Sequence, residues 1–176
     1  MEEQDLAALL LTTEPEVRYF SGFLTPFWQS PTRPWFLVVP AEGKPVAVIP
    51  SIGAAAMART WIDDIRTWAS PAPADEGVSL LAATLREVTG GKGQIDLPMG
   101  VETHLRMPLG DFRALEARLT GEPIVDATAI VRQLRMVKSA AEIAKIAHVC
   151  GVVSGVFESL VDLLHVGMTE IEVFRT

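Results

Sequence analysis

Apolar residues enter the chain as one short unbroken run, Leu6 to Leu11, which reads as a buried strand. Thr13-Glu14-Pro15-Glu16 follows, with a capping threonine, a proline inside the first turn and a glutamate three residues after the cap. That combination predicts a short helix through Val17, Tyr19 and Phe20, stopped by Gly22. Residues 24–34 show no period and hold three prolines, which excludes a helix or a ladder strand and leaves an aromatic loop. Trp35 to Pro40 and Pro45 to Pro50 are apolar and β-branched, and Ala41-Glu42-Gly43-Lys44 divides them, so the pair reads as a hairpin. Ser51 is placed to cap a small-residue helix through Met57, and Trp61 to Trp68 holds a third strand.

Pro71 to Asp75 is a loop ending in a capping aspartate. Val78 to Val88 is then predicted helical, because Leu81, Leu85 and Val88 share one face. Gly90-Gly91-Lys92-Gly93 stops it, and Gln94 to Leu97 is a short strand. Thr103 to Leu119 is predicted as a helix with Phe112, Leu115 and Leu119 on one stripe, and Pro123 to Val125 as a last strand. Strands alternating with helices give an α/β fold, and the hairpin makes its sheet mixed. From Ala127 onward no strand or hairpin signal appears. Ser139-Ala140-Ala141-Glu142 is a capping box opening a helix from about Ala140 to about His165, roughly 40 Å long. Ile143, Ile146, Cys150, Val153, Phe157, Leu160 and Leu164 make its apolar stripe, and Gly167 is expected to end it. Thr169-Glu170-Ile171-Glu172 is a further capping box whose helix has only a few residues before Thr176. The chain is therefore expected to be truncated within an element.

Of the 176 residues, 49% are hydrophobic and 21% charged, the balance of a globular domain rather than a disordered chain. A net charge of −7 with no cluster of Lys and Arg excludes nucleic acid as the natural partner. The lone cysteine, Cys150, has no partner for an internal disulfide and points to a reducing, cytoplasmic setting. The acidic start, Met1-Glu2-Glu3-Gln4-Asp5, lacks the basic opening of a secretory signal. Unbroken apolar runs fall short of the roughly 20 residues that cross a bilayer, so a soluble protein with no membrane partner is expected.

Three segments carry a family resemblance. They are Val17-Arg18-Tyr19-Phe20-Ser21-Gly22-Phe23, the junction Leu134-Arg135-Met136-Val137-Lys138-Ser139-Ala140-Ala141-Glu142-Ile143, and Gly167-Met168-Thr169-Glu170-Ile171-Glu172-Val173. In this order and spacing they resemble the creatinase/prolidase family, which includes Xaa-Pro dipeptidases and aminopeptidase P. The resemblance implies a ribonuclease H-like α/β N-terminal domain at 1–127, a mixed β-sheet flanked by helices. It implies a linker at 128–138, and at 139–176 the first helices of a pita-bread catalytic domain. It also implies a parent hydrolase of Xaa-Pro peptide bonds that uses two divalent metal ions, such as Mn, Co or Zn. Two other readings stay open: a creatinase-like enzyme cutting a C–N bond in a small compound, and a non-enzymatic protein-binding module of the same fold. The family's five metal ligands lie downstream of the Gly-x-Thr-Glu segment, so none maps here. The resemblance thus implies a non-catalytic fragment that forms a homodimer or higher homo-oligomer and shapes the partner subunit's substrate pocket.

The residues themselves offer little chemistry. His148 and His165 point in different directions on one predicted helix, and neither they nor His104 form a metal set. Cys150, on the apolar stripe, reads as a small buried hydrophobe. Gly90-Gly91-Lys92-Gly93 follows a helix instead of opening one, so it is no phosphate loop. The aromatic loop is the exception. Restrained by prolines, Trp28 and Arg33 present a stacking face and a fixed cationic fork, which suits a carboxylate. The resemblance places Arg33, just before Pro34-Trp35-Phe36-Leu37, where creatinase has an arginine lent to the partner subunit's active site. Arg33 and Trp28 are accordingly the candidate substrate-binding residues. The competing reading packs Phe27 and Trp28 onto the domain and leaves Arg33 to cap a carbonyl or pair with a surface acid. The stripe from Ile143 to Leu164, lacking a sheet to cover it, predicts self-association through the long helix.

Overall fold

The computed structural model describes residues 6–30 and 33–176. The strands are β1 (Leu6–Leu11), β2 (Phe36–Pro40), β3 (Val46–Pro50), β4 (Asp64–Trp68), β5 (Gln94–Leu97) and β6 (Ile124–Asp126). The α-helices are α1 (Glu14–Ser21), α2 (Ala54–Met57), α3 (Val78–Thr89), α4 (Leu109–Arg118), α5 (Thr128–Met136), α6 (Ala140–Leu163) and α7 (Glu170–Arg175). The described residues divide into two units, Met1–Arg132 and Gln133–Thr176.

In the first unit the strands form one mixed sheet in the order β4-β3-β2-β1-β5-β6. β2 is antiparallel to β1 and β3, and every other pairing is parallel. All strands except β2 therefore run the same way, and their carboxyl ends share one edge of the sheet. Alternation along the strands explains the continuous apolar runs, because both faces are covered. Ala8, Leu10, Phe36, Val38, Val46 and Val48 face α3 and α4, which contribute Leu81, Leu85 and Leu115, with Leu119 just past the end of α4. Leu9, Leu11, Leu37, Ala47 and Ile49 face the other way, onto Val17 of α1, Met57 of α2, and Phe23, Trp28 and Trp35.

Several sequence expectations are met by local chemistry. The Thr13 N–H and hydroxyl both donate to the Glu16 carboxylate, at 3.4 and 2.7 Å, and Gly22 ends α1 with φ 76°. Asp75 caps α3 from outside, its Oδ1 accepting from the Ser79 N–H at 3.0 Å.

Other expectations are corrected. The aromatic loop holds a 3-10 turn, Pro26–Gln29, capped by Thr25; proline at its first position costs no hydrogen bond. Pro31 and Thr32 of that loop lie outside the described residues. Ser51 caps nothing; it sits inside a 3-10 turn, Ser51–Gly53, that leads into α2. α4 begins at Leu109 rather than near Thr103, because Pro108 bars the residue before it from helical geometry. Leu105 and Met107 still pack against the core. Most of the segment 128–138 is helical, as α5, with Thr128 and Val131 buried.

In the second unit, Ser139 and Glu142 form the expected capping box: Ser139 Oγ accepts from the Glu142 N–H at 3.3 Å, and the Ser139 N–H donates to Glu142 at 2.8 Å. α6 ends at Leu163, and Gly167, with φ 101°, lies in the turn beyond it. The apolar surface of α6 is wider than the stripe, since Val149, Val152, Val156 and Val161 are exposed beside it. Cys150 is exposed, not buried; periodicity reveals an apolar face but not what covers it. With 24 residues and a mean hydropathy of 1.5, α6 is long and apolar enough to cross a membrane, as core helices of soluble proteins also are. Scattered polar residues hid this from a count of unbroken runs.

Candidate functional site

The sheet register decides what meets at its carboxyl edge. Phe36 pairs with Val48, Val48 with Arg66, and Pro50 with Trp68, so the residues before β2 lie beside those after β4. There the Arg33 Nε donates to Ser70 Oγ at 3.2 Å. Among the described residues this is the only hydrogen bond of the partly buried Arg33 side chain. Glu76 stands nearby, accepting from Trp68 Nε1 at 2.8 Å and from the Ala72 N–H at 2.7 Å. Burial alone would raise its carboxyl, but the bonds from Trp68, Ala72 and Ser70, with the Arg33 charge, hold it below the usual range. Glu76 is thus ionised and already committed to its donors. The terminal nitrogens of Arg33 are left for another anion.

Trp28 supports the same loop from beneath. Its ring is buried, edge-on to Phe23 at 6.5 Å and tilted against Trp35 at 6.0 Å. Phe27 stacks on Trp35 at 6.3 Å. The aromatic side chains therefore pack as the competing reading supposed, while among the described residues no hydrogen bond engages the terminal nitrogens of Arg33.

Arg106 completes the arrangement. Its Cζ lies 5.0 Å from the centre of the Trp28 ring. Its terminal nitrogens donate to the carbonyls of Phe27 at 3.4 Å and Trp28 at 3.3 Å, and to those of Ser30 and Arg33. Its own N–H donates to Thr12 Oγ1 at 3.3 Å, just past the end of β1. Burial pushes its guanidinium below the ordinary arginine value, against the opposing charge of Glu14. No carboxylate bonds to it among the described residues. Arg106, Ser70 and Glu76 all escaped the sequence reading. The available signal was an arginine set between two core-facing residues, Leu105 and Met107.

A second pair of acids sits elsewhere on the sheet. Asp96 of β5 alternates with Ile95 and Leu97, and so points to the face opposite α3. It is 2% exposed, and its Oδ2 has no partner among the described residues. Burial, with the Asp126 charge, pushes its carboxyl up to about 6. Asp126 is held below the usual range, first by the Thr128 hydroxyl and then by the Met99 and Thr128 N–H groups. Two carboxyls pushed apart in this way suit acid–base work, but Asp96 is sealed from any substrate. Among the described residues no group of three or more His, Cys, Asp or Glu stands close enough to hold a metal.

The sequence profile of the creatinase/prolidase N-terminal domain matches residues 1–137. No curated protein was found to match the chain. Among solved structures, the dipeptidase PepE from Mycobacterium ulcerans is 28% identical with a TM-score of 0.70, over 98% of this chain and 43% of that one. A prolidase from Thermococcus sibiricus is 17% identical with a TM-score of 0.77, over 98% and 44%. An X-Pro aminopeptidase from Thermotoga maritima is 20% identical with a TM-score of 0.73, over 98% and 45%. The last two likenesses show the fold alone. The chain spans a little under half the length of each of these three.

Proposed function

Because the chain belongs to the creatinase/prolidase N-terminal domain family, we propose that it is the non-catalytic N-terminal domain of a cytoplasmic hydrolase of Xaa-Pro peptide bonds. In this reading it supports homodimerisation and shapes the partner subunit's substrate pocket. Arg33, on the loop that Trp28 underpins, binds the substrate's carboxylate there.

The observation that carries the reading is the Arg33 fork, anchored through Nε on Ser70 at the carboxyl edge of the sheet, with no hydrogen bond to its terminal nitrogens among the described residues. That edge is where open α/β sheets hold ligands. A planar guanidinium with both terminal nitrogens available meets a carboxylate through two parallel hydrogen bonds. The printed names of the similar structures, a dipeptidase, a prolidase and an X-Pro aminopeptidase, favour peptides as the substrate class. The parent's two divalent metal ions, Mn, Co or Zn, belong to residues outside this chain, and their role is to supply the activated water. The single cysteine supports the cytoplasmic assignment.

The test is kinetic. In the full-length parent, Arg33→Ala is expected to raise KM for a free-carboxylate substrate by about tenfold or more, the worth of hydrogen bonds to a charged group. An unchanged kcat/KM removes the assignment.

A further inference from the structure

We propose that Arg106 is the positioning residue of this carboxylate site: by gathering the carbonyls on both sides of the aromatic loop, it fixes the backbone from which Arg33 extends. The proposal rests on the reading of Arg33 given above and assigns a partner to it from the far side of the sequence.

Three observations point this way. First, the Arg106 guanidinium bonds carbonyls from Phe27, Trp28 and Ser30 on one limb of the loop and from Arg33 itself on the other. Its planar donor fork spans acceptors that a single ammonium does not. Second, it lies over the Trp28 ring, so ring and cation hold each other in place. Third, no carboxylate among the described residues hydrogen-bonds to it, and the Glu14 charge only partly offsets the cost of its burial. Its donors are spent on backbone acceptors, and the backbone they order is the one that carries the candidate ligand-binding fork.

Amide hydrogen exchange on the present chain reads the positioning without any substrate. Arg106→Gln and Arg106→Met, the second keeping the apolar stem, are expected to speed exchange of the Ser30 amide, which bonds Phe27 O, by about tenfold or more. The Ile95 amide, bonded to Pro123 O within the sheet, is expected to keep its rate. Arg106→Lys is expected to fail as a rescue. In the full-length parent each Arg106 variant is expected to raise KM with kcat nearly unchanged, and combining it with Arg33→Ala is expected to add nothing further. Unchanged exchange at Ser30, or a rise equal to that at Ile95, overturns the proposal. So does a double variant whose loss is the product of the single ones. If Arg33→Ala raises KM while the Arg106 variants do not, the positioning role falls alone. If Arg33→Ala is silent, the carboxylate reading falls and the positioning role falls with it.

Discussion

Asp96 is a carboxylic acid in the place of an apolar residue, and its position has a sign that can be measured. An ordinary aspartate titrates at 3.8, whereas Asp96 titrates at about 6 in the folded chain. Between those values the folded state keeps a proton that the unfolded chain releases. Stability therefore falls as pH rises through this window, and the full penalty is present above it. The shift corresponds to roughly 3 kcal/mol at most. Asp96→Asn keeps the shape and removes the charge. It is expected to raise the melting temperature by several degrees at about pH 7.5 and to change little at about pH 4. Equal effects at both values remove this account. Asp126 has the opposite sign: its depressed carboxyl contributes stability that is lost as pH falls through its lowered folded value. Neither acid was legible beforehand as anything but a polar interruption, because the burial of Asp96 and the donors around Asp126 depend on tertiary structure. Arg106 was illegible for a related reason. The carbonyls it bonds lie 73 to 79 residues away in sequence, and no local pattern announces such a contact.

At the scale of elements, what was legible was local. The runs at Leu6 to Leu11 and Val46 to Pro50, the hairpin between β2 and β3, and the capping residues Thr13, Ser139 and Thr169 declare themselves within a few positions. What failed depended on an exclusion rule or on tertiary cover: Pro108 set the start of α4, and nothing in the sequence exposed Cys150. Glycines show the same division. A Cβ at Gly53 would stand 2.1 Å from the buried Trp35 ring, although the backbone there is unstrained. Gly53→Ala is expected to destabilise the sheet unit by about 1–3 kcal/mol through overpacking, read from the urea midpoint. Gly151, inside α6, meets nothing within 4 Å. Gly151→Ala is expected to increase helicity by circular dichroism, with a gain of about 0.8–1 kcal/mol. The same substitution thus has opposite signs at the two sites, and a shared sign contradicts the packing described.

For the molecule as a whole, the buried residues of both core faces lie between Leu6 and Val131. A chain shortened to residues 1–137, the span of the family match, is expected to keep the thermal midpoint of the sheet unit within a few degrees. By light scattering the full 176-residue chain is expected to associate, in part through the exposed apolar surface of α6, and the shortened chain to associate more weakly. Association undiminished by the truncation removes α6 from the interface. The sheet's borders limit how far any assembly extends. β4 closes one side with Arg66 clasped by Asp64 at 2.8 Å and Glu87 at 2.6 Å, and β6 closes the other after only three residues. Charge on one margin and brevity on the other deny an incoming strand a template. Copies of this chain that meet are thereby kept from extending the sheet strand by strand into open-ended fibrils.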